Sequence, residues 1–462
     1  MKHVWSIASL LLLWLVSLRA RADELGLAVV LASAERHHPL VRAALADHDA
    51  ADGELRGARG GFDPSWITRA QGQPVGGYQQ WQVDTTVTQP TPLWGASAFV
   101  GYRFGDDMPS YYGDRLTKQA GEIRGGVSVP LWRNGPTDRR RTNIEKAGLG
   151  VEIASLSVEQ QRLLIARDAS FRYWDWVAAA KRRAIAEDLL RIAVDRDAGI
   201  AARAASGDVP TIDRTDNQRA IAQRQGFVVS ADRALAQNAI ELSLFWRGAD
   251  GAPQLPDAAR APSLPEPAAP AIAEPSALGD AERKRPELRR FDAQRRQQDV
   301  EIAWAKNQRA PAVDLWVTTS VDLGDPRASR PDLDKPVLAG GVMIDLPIFN
   351  RTADGRVKAA EAARTKVDEQ RRFALDRVRA EVRDAANAVE TASRRLAVAR
   401  LEVTLAVELE RAERTRFDAG DGSLLLVNLR EQATAEARLR EVDALADGHK
   451  AAAALRWATG AR

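Results

Sequence analysis

Two short stretches of the chain, RAASGDVPTID (residues 203–213) and RFDAGDGSLLL (residues 416–426), interrupt long helical patterns in the same way. In each stretch an Arg stands four residues before a Gly, and an Asp follows that Gly. Glycine ends a helix at little steric cost because it readily adopts the left-handed conformation. A new amphipathic stretch begins within a few residues of each Gly. The two stretches therefore predict two points at which a long helix ends and a second helix returns.

The segment before the second break has the repeat of helices that pack side by side. Residues 353–417 contain no Pro, and no Gly after Gly355. Apolar residues alternate there at spacings of three and four: Leu375, Val378, Val382, Ala385, Val389, Ala392 and Leu396. This heptad pattern is typical of coiled coils. At 1.5 Å per residue the helix would be about 100 Å long, which is unusual for a globular domain.

Four landmarks occur in the same order in both halves of the chain, which indicates an internal duplication. Each half has two prolines 25 residues apart, a Gly-Gly-Val segment leading into a long helix, the Arg-x-x-x-Gly-Asp break, and an aromatic residue near a final Gly. Besides the breaks, the matching stretches are 39–64 and 286–311, 125–135 and 340–350, and 244–248 and 455–460. Each half is thus predicted to run helix, strand, loop, strand, very long helix, turn, long helix.

The segments around this duplication complete the predicted domain organisation. A basic start, an apolar run and the triplet Ala-Arg-Ala predict a signal peptide over residues 1–22. The first repeat then covers residues 23–247, and the second repeat covers residues 277–462. Residues 248–276 hold seven prolines and are predicted to form an irregular linker.

The predicted strands alternate between apolar and polar residues. In LWGASAFVGYRF (residues 93–104), one face carries Trp94, Ala98, Val100, Tyr102 and Phe104. The same alternation returns over residues 313–323. Apolar-out, polar-in strands with aromatic ends are typical of outer-membrane barrels, and the alternative is a soluble sheet packed on the helices. Two strands in each half could not close a barrel alone, so the strands are predicted to be shared, with three copies giving twelve.

Composition excludes several function classes. The chain has 66 Lys plus Arg and 63 Asp plus Glu, and removal of residues 1–22 takes away three basic residues, which leaves a neutral mature chain. This balance gives no support for nucleic-acid binding. The absence of Cys excludes a lipoprotein and thiolate chemistry. The sequence shows no catalytic motif and no metal-ligand spacing among its five His. We therefore predict no enzyme activity, no cofactor and no metal site.

Taken together, the order of these elements resembles the TolC-type outer-membrane efflux protein family over nearly the whole mature chain. The resemblance implies a mainly α-helical, internally duplicated fold with a small membrane β-barrel. In such a trimer, long antiparallel helices form an α-barrel below a shared twelve-stranded β-barrel. It also implies a passive exit channel in the outer membrane of a Gram-negative bacterium, in contact with outer-membrane lipid. The implied partners are two further copies of the chain, a periplasmic adaptor and an inner-membrane transporter. The alternative is a periplasmic coiled-coil adaptor or scaffold with a soluble β-domain.

The resemblance also assigns roles to residues at the two breaks. It places Arg203, Gly207, Arg416 and Gly420 at the periplasmic tips that dock to the adaptor, although plain capping of the helix ends would also explain the two Arg.

Relatives often carry acidic residues at the aperture, six and nine residues after the second Gly, where this chain has Leu426 and Leu429. Asp213 and Asp216 occupy the same offsets after Gly207. We therefore expect an aperture lined by leucines, with Asp213 in a polar contact to a neighbouring helix pair. The alternative for Asp213 is a favourable position in the first turn of a helix.

Overall fold

The computed structural model describes residues 24–76, 80–106, 117–267, 274–325 and 335–461. The predicted signal peptide, residues 1–22, lies outside the described residues. The fold is mainly helical with one antiparallel sheet. Its α-helices are α1 (Leu27–His37), α2 (Pro39–Arg59), α3 (Arg139–Ala205), α4 (Thr211–Ser243), α5 (Glu274–Lys284), α6 (Pro286–Asn307), α7 (Arg351–Asp418) and α8 (Leu424–Ala458). Two short 3-10 helices cover Gly60–Phe62 and Ala258–Arg260.

The two predicted helix reversals are confirmed. Helix α3 has 67 residues and is followed by the 33-residue α4, while α7 has 68 residues and is followed by the 35-residue α8. The turns between them contain Gly207 and Gly420, as predicted. Helix α5 begins at Glu274, inside the segment predicted to be an irregular linker. Pro275 is compatible with this start because proline is tolerated in the first turn of a helix.

The six strands described here form a single antiparallel sheet in the order β1 to β6. They are β1 (Ser65–Gln73), β2 (Gln80–Pro90), β3 (Ser97–Asp106), β4 (Glu122–Pro130), β5 (Ala312–Asp322) and β6 (Val337–Asp345). The prediction of two strands in the first half was therefore wrong, because that half contributes four. The sequences of β1 and β2, SWITRAQGQ and QWQVDTTVTQP, place Thr, Gln and Gly among the apolar residues, which weakens the alternation that reveals a strand.

The chain divides into two compact units. One, the helical unit, consists of Met1–Ala44, Val158–Pro286 and Leu375–Arg462, as far as these residues are described; the other, the sheet unit, consists of Leu45–Ser157 and Glu287–Ala374. The core of the helical unit is built on Trp176, which is fully buried among apolar residues of α1, α3 and α4. Tyr173 joins this core and donates a hydrogen bond of 2.9 Å to the Leu25 carbonyl.

The predicted heptad seam of α7 is the packed face of that helix in the helical unit. Val378 and Val382 are fully buried, and Ala385, Ala392 and Leu396 are at most 6% exposed. Leu375 and Val389 are half-buried. The alternating spacing of three and four thus places the apolar residues on one line of contact. Among the described helices, none has an apolar stretch long enough to cross a bilayer.

Candidate functional site at the helix turns

The α3–α4 and α7–α8 turns end their first helices with the same backbone geometry. Gly207 and Gly420 have φ values of 85° and 86°, in the left-handed region where a side chain would be strained. The amide after each Gly donates to the carbonyl of the preceding Arg: Asp208 to Arg203 and Asp421 to Arg416, both at 2.9 Å. This six-to-one hydrogen bond defines the Schellman ending of a helix. The repeated Arg-x-x-x-Gly-Asp pattern therefore encodes the same local structure twice.

The two Arg side chains at these turns have different surroundings. The guanidinium of Arg203 lies 5.5 Å from the ring centre of Phe417 on α7, within range of a cation–π contact. Arg416 is more open, with 60% of its side chain exposed, and lies 3.6 Å from the Glu413 carboxylate. It also donates a long hydrogen bond of 3.4 Å to the Asp421 carbonyl. Arg203 thus joins the ends of α3 and α7, and Arg416 leaves most of its side chain in solvent.

The four predicted aperture residues lie on the helices that leave the turns. Leu426 and Leu429 are 39% and 55% exposed on α8, whereas the neighbouring Val427 is buried. Asp216 is 3.8 Å from Arg219, one turn further along α4. Asp213 lies in the first turn of α4. Within the described residues its side chain makes no hydrogen bond or ion pair, so the proposed contact to a neighbouring helix pair stays a prediction.

Near these turns, one buried carboxylate on α8 pairs with arginine side chains from α3, α4 and α7. Glu431 on α8 is fully buried. Arg196 of α3 and Arg224 of α4 each lie 2.8 Å from it, and Arg414 of α7 lies 2.9 Å from it. We call Glu431 and these three Arg the Glu431 network. Arg196 also donates to the Asn428 side-chain oxygen at 2.6 Å.

The three Arg of the Glu431 network differ in solvent exposure and in the number of carboxylates they pair with. The side chains of Arg196 and Arg224 are 17% and 5% exposed, so they depend on Glu431 for a counter-charge. Arg414 is 45% exposed and has a second carboxylate, Glu410, at 3.1 Å. Arg414 can therefore leave Glu431 and remain paired, whereas Arg196 and Arg224 have no second carboxylate within pairing distance in the part of the chain that the structure describes.

Electrostatics favour the charged form of Glu431. Burial alone would raise its pKa, but the charges and hydrogen bonds of Arg196, Arg224 and Arg414 outweigh burial, and the pKa is lowered. Burial lowers the pKa of Arg196, the attraction of Glu431 opposes this, and the neighbouring Arg224 and Arg414 lower it further. The network is thus an ionised cluster held in a desolvated place. Removing its one shared anion would leave buried positive charge without compensation.

A groove lies beside the network at the ends of α3 and α7. Its volume is about 450 Å³, and its walls include Arg203, Phe417, Arg414 and Glu431 together with the apolar Ile200. The groove therefore borders both the cation–π contact and the Glu431 network, close to the ends of α3 and α7. Sequence reasoning found the turns but missed Phe417 and the network. Arg414, two residues before Arg416, was the one available signal, and it was hidden among many other charged residues.

Comparison with known proteins identifies one family by sequence. Residues 277–461 match the sequence model of the outer membrane efflux protein family. No curated protein sequence matches the chain significantly.

Solved structures match the chain over nearly its whole length. A membrane protein from Pseudomonas aeruginosa is 17% identical, with 95% of this chain and 94% of that chain covered and a TM-score of 0.67. The outer membrane protein VceC from Vibrio cholerae is 16% identical, with 94% and 96% covered and a TM-score of 0.66. The MtrE outer membrane channel of Neisseria gonorrhoeae, in its open state, is 16% identical, with 94% and 89% covered and a TM-score of 0.65.

The matched family is named for efflux and the MtrE structure is named a channel, in agreement with the prediction of no enzyme activity. At such low identity the structural likeness establishes the fold, and the family is carried by the sequence model over residues 277–461, the range predicted as the second repeat. The resemblance of this chain to the TolC-type outer-membrane efflux protein family is thereby confirmed, in sequence over residues 277–461 and in fold over more than nine-tenths of the chain.

Proposed function

We propose that this chain is the passive outer-membrane exit channel of a tripartite efflux or secretion system in a Gram-negative bacterium. It acts as a homotrimer whose copies share one membrane sheet. The helix turns dock to a periplasmic adaptor that links the channel to an inner-membrane transporter. The observation that carries the proposal is the combination, in one chain, of an amphipathic sheet with two long helices that reverse at identical turns. The family match over residues 277–461 supports it independently.

The proposal includes the internal duplication and its boundaries. Helices of 67 and 68 residues, each followed by one of 33 or 35 residues, support a first repeat over 23–247 and a second over 277–462. The linker of residues 248–276 then joins the end of one helix pair to the start of the next repeat. The predicted signal peptide, residues 1–22, would direct export, and the protein would reach the outer membrane without a lipid anchor.

Docking at the turns can be tested by cross-linking from single positions. A photo-reactive amino acid at Arg203 or at Arg416 should yield covalent products with the adaptor in cells. The matched control is Arg372 on α7, whose side chain is 78% exposed but lies far along the chain from either turn. Equal products from all three positions, or none from the turns, would reject docking at the turns.

The same cells test the channel assignment. The mature protein should fractionate with the outer membrane, require detergent for extraction and conduct ions in planar bilayers. A water-soluble protein in the periplasm that still cross-links to an inner-membrane transporter would instead identify the alternative, a periplasmic adaptor or scaffold.

Gating is a separate part of the proposal. The leucines at 426 and 429 are exposed on a single copy, and we assign them to the aperture formed where the copies meet. Asp213, without a partner among the described residues, is assigned to a polar contact with the adjacent copy. Asp213→Ala should raise closed-state conductance in planar bilayers. The control is Asp208→Ala, in the α3–α4 turn that precedes the helix carrying Asp213. Unchanged conductance in Asp213→Ala would remove Asp213 from the gate.

A further inference from the structure

Within the described residues, the sheet unit carries six strands in one continuous sheet, and neither edge strand has a partner on its outer side. Each strand pairs with the next along the chain, from β1 to β6. Strands β1 and β6 lie at the two edges, and each has nine residues. All nine residues of β1 are exposed, and in β6 six are exposed and three are half-buried. An open edge of this length is a strong site for pairing with another strand.

The same alternation runs across all six strands. One row of paired residues crosses the whole sheet: Trp66, Val87, Val100, Gly125, Thr319 and Leu338. All the large apolar members of this row are exposed on the single chain. Because side chains alternate between the faces of a sheet, this row marks one outward, apolar face that includes β1 and β2.

The opposite face carries a row of charged residues that crosses strands β1 to β5. A second row joins Arg69, Asp84, Arg103, Glu122 and Asp322. Arg103 lies 2.6 Å from Glu122. Arg124, also on this face, pairs with Asp84 of β2 at 2.5 Å. Strands β1 and β2 thus continue both the apolar and the polar face, as expected of a wall with lipid on one side and water on the other.

The turn between β2 and β3 is packed against the segment that joins β4 to α3. Gly95 has a φ of 69°, and a Cβ atom there would lie 2.4 Å from the Asn134 carbonyl oxygen. A Cβ atom on Gly135 would lie 2.6 Å from the indole nitrogen of Trp94. At the other end of the turn, Gln89 donates a hydrogen bond of 2.7 Å to the Phe62 carbonyl. Strands β1 and β2, which the sequence analysis did not predict, are therefore packed into the sheet unit and do not form a detached hairpin.

These observations determine how copies can join if the sheet spans a membrane. Unpaired backbone groups are not tolerated in the hydrocarbon region, so both edges must be paired. With six antiparallel strands, β1 and β6 run in opposite directions, and β6 of one copy can pair antiparallel with β1 of the next. Such head-to-tail contacts close into a ring when the rotation is suitable.

We infer that three copies of this chain close an eighteen-stranded barrel through β1–β6 contacts, in place of the twelve strands that four per copy would give. This inference rests on the proposed function as a trimeric membrane channel. At a strand spacing of about 4.8 Å and a tilt of about 40°, eighteen strands give a diameter of roughly 36 Å, against roughly 24 Å for twelve. The second copy of this chain is thus the partner that covers each open edge.

Disulfide cross-linking tests the edge contact directly because the chain has no native Cys. Thr68→Cys on β1 combined with Val342→Cys on β6, with neighbouring positions on the same faces scanned for register, should give a covalent trimer that reductant dissolves. Val100→Cys on β3 with Val342→Cys should give none, because β3 is an interior strand. Val127→Cys with Val317→Cys, which are paired on β4 and β5, is the intramolecular control.

The outcomes separate this inference from the proposed function. A detergent-extracted trimer that cross-links through β3 and β6, or through neither pair, overturns the eighteen-stranded barrel and leaves the channel intact. A water-soluble monomer overturns both. Where the paired variants fail to assemble, a single spin label tests the face of β2 instead. A label on Val83→Cys should be more accessible to oxygen than to a polar nickel reagent. A label on Thr86→Cys should be more accessible to the nickel reagent than to oxygen. Polar-reagent access at both positions would place β2 outside the lipid-facing wall and overturn the inference.

Discussion

The Glu431 network offers a quantitative test of how the two helix pairs are held together. In Glu431→Gln the side chain keeps its size but loses its charge. Arg414 can turn to Glu410, which lies 3.1 Å away, but Arg196 and Arg224 stay buried without an anion. Breaking a buried ion pair by removing one partner costs about 3–5 kcal/mol. We expect that loss in the free energy of local opening near the turns.

Amide hydrogen exchange of the detergent-solubilised protein measures this opening. A loss of about 3–5 kcal/mol corresponds to exchange that is about a hundred- to a few-thousand-fold faster. The increase should appear in residues 189–203 of α3 and 424–435 of α8. The matched control is Asp443→Asn, which breaks a pair between the same helices at 2.5 Å, where Arg182 and Asp443 are 38% and 44% exposed. An exposed pair of this kind contributes about 0–1 kcal/mol, so its removal should accelerate exchange by less than about tenfold.

Two results would refute this reasoning. One is exchange in Glu431→Gln that is no faster than in Asp443→Asn. The other concerns the triple variant Arg196→Met, Arg224→Met and Glu431→Met, which removes the whole buried group. Because replacing a buried ion cluster by apolar residues is often neutral, protection should return towards that of the native chain. If the triple variant stays as open as Glu431→Gln, uncompensated charge is not the cause.

Four further predictions follow from the helical unit. The pKa of Glu431 is lowered below its ordinary value of 4.5, so the stabilisation from the ionised carboxylate should be complete above pH 4.5 and be lost as the pH falls through the lowered pKa. Amide hydrogen exchange near the turns, corrected for intrinsic exchange rates, would detect this loss. Gly207→Ala and Gly420→Ala each force a side chain into the left-handed region and should each lower local stability at their turn by about 1 kcal/mol, measured by exchange of the flanking amides. Burial lowers the pKa of His449, whose ring stacks on that of Trp174 at a centroid distance of 3.7 Å. Stability should therefore decline as the pH falls below 6.5, and thermal unfolding of His449→Gln should show a smaller decline. Arg414→Gln should speed exchange in the last turns of α7 and leave α3 protected, because Glu431 keeps its two buried partners.

Sequence reasoning succeeded where the signal is local or periodic. The long helix predicted over residues 353–417 runs from Arg351 to Asp418, since it has no Pro and no Gly after Gly355, and the heptad seam fixes its buried face. Both turns were placed correctly because the Schellman ending requires a Gly at one defined position.

The failures have a different physical origin. Strand β1 contains Arg69, Gln71 and Gln73 on its polar face and Ala70 and Gly72 on its apolar face, so its alternation in hydrophobicity is weak. Pairing with β2, which supplies Val83 and Trp81 opposite those small residues, makes it part of the sheet.

The Glu431 network could not be predicted for a related reason. Arg196 and Arg224 lie 235 and 207 residues from Glu431 in the chain, and only the fold brings them together. Each is one of 66 basic residues, and no spacing along the sequence distinguishes it from a solvated helix charge.

The unequal exposure within the network bears on how the proposed channel could open. Arg196, which is 17% exposed, and the buried Arg224 tie Glu431 of α8 to α3 and α4 by contacts of 2.8 Å, and no second carboxylate pairs with either Arg among the described residues. Arg414 of α7 is 45% exposed and already shared with Glu410, so exchanging one carboxylate for the other leaves no charge unpaired. Helix α7 is therefore the helix whose end can move away from the other three with the smallest electrostatic cost. Phe417, three residues further along α7, makes the cation–π contact with Arg203 at the end of α3. An adaptor that binds the α7–α8 turn, as proposed, would thus contact the helix end with the weakest electrostatic hold on Glu431. Displacement of α7 would open the groove beside the network. Arg196, Arg224 and Glu431 would meanwhile keep α3, α4 and α8 in register.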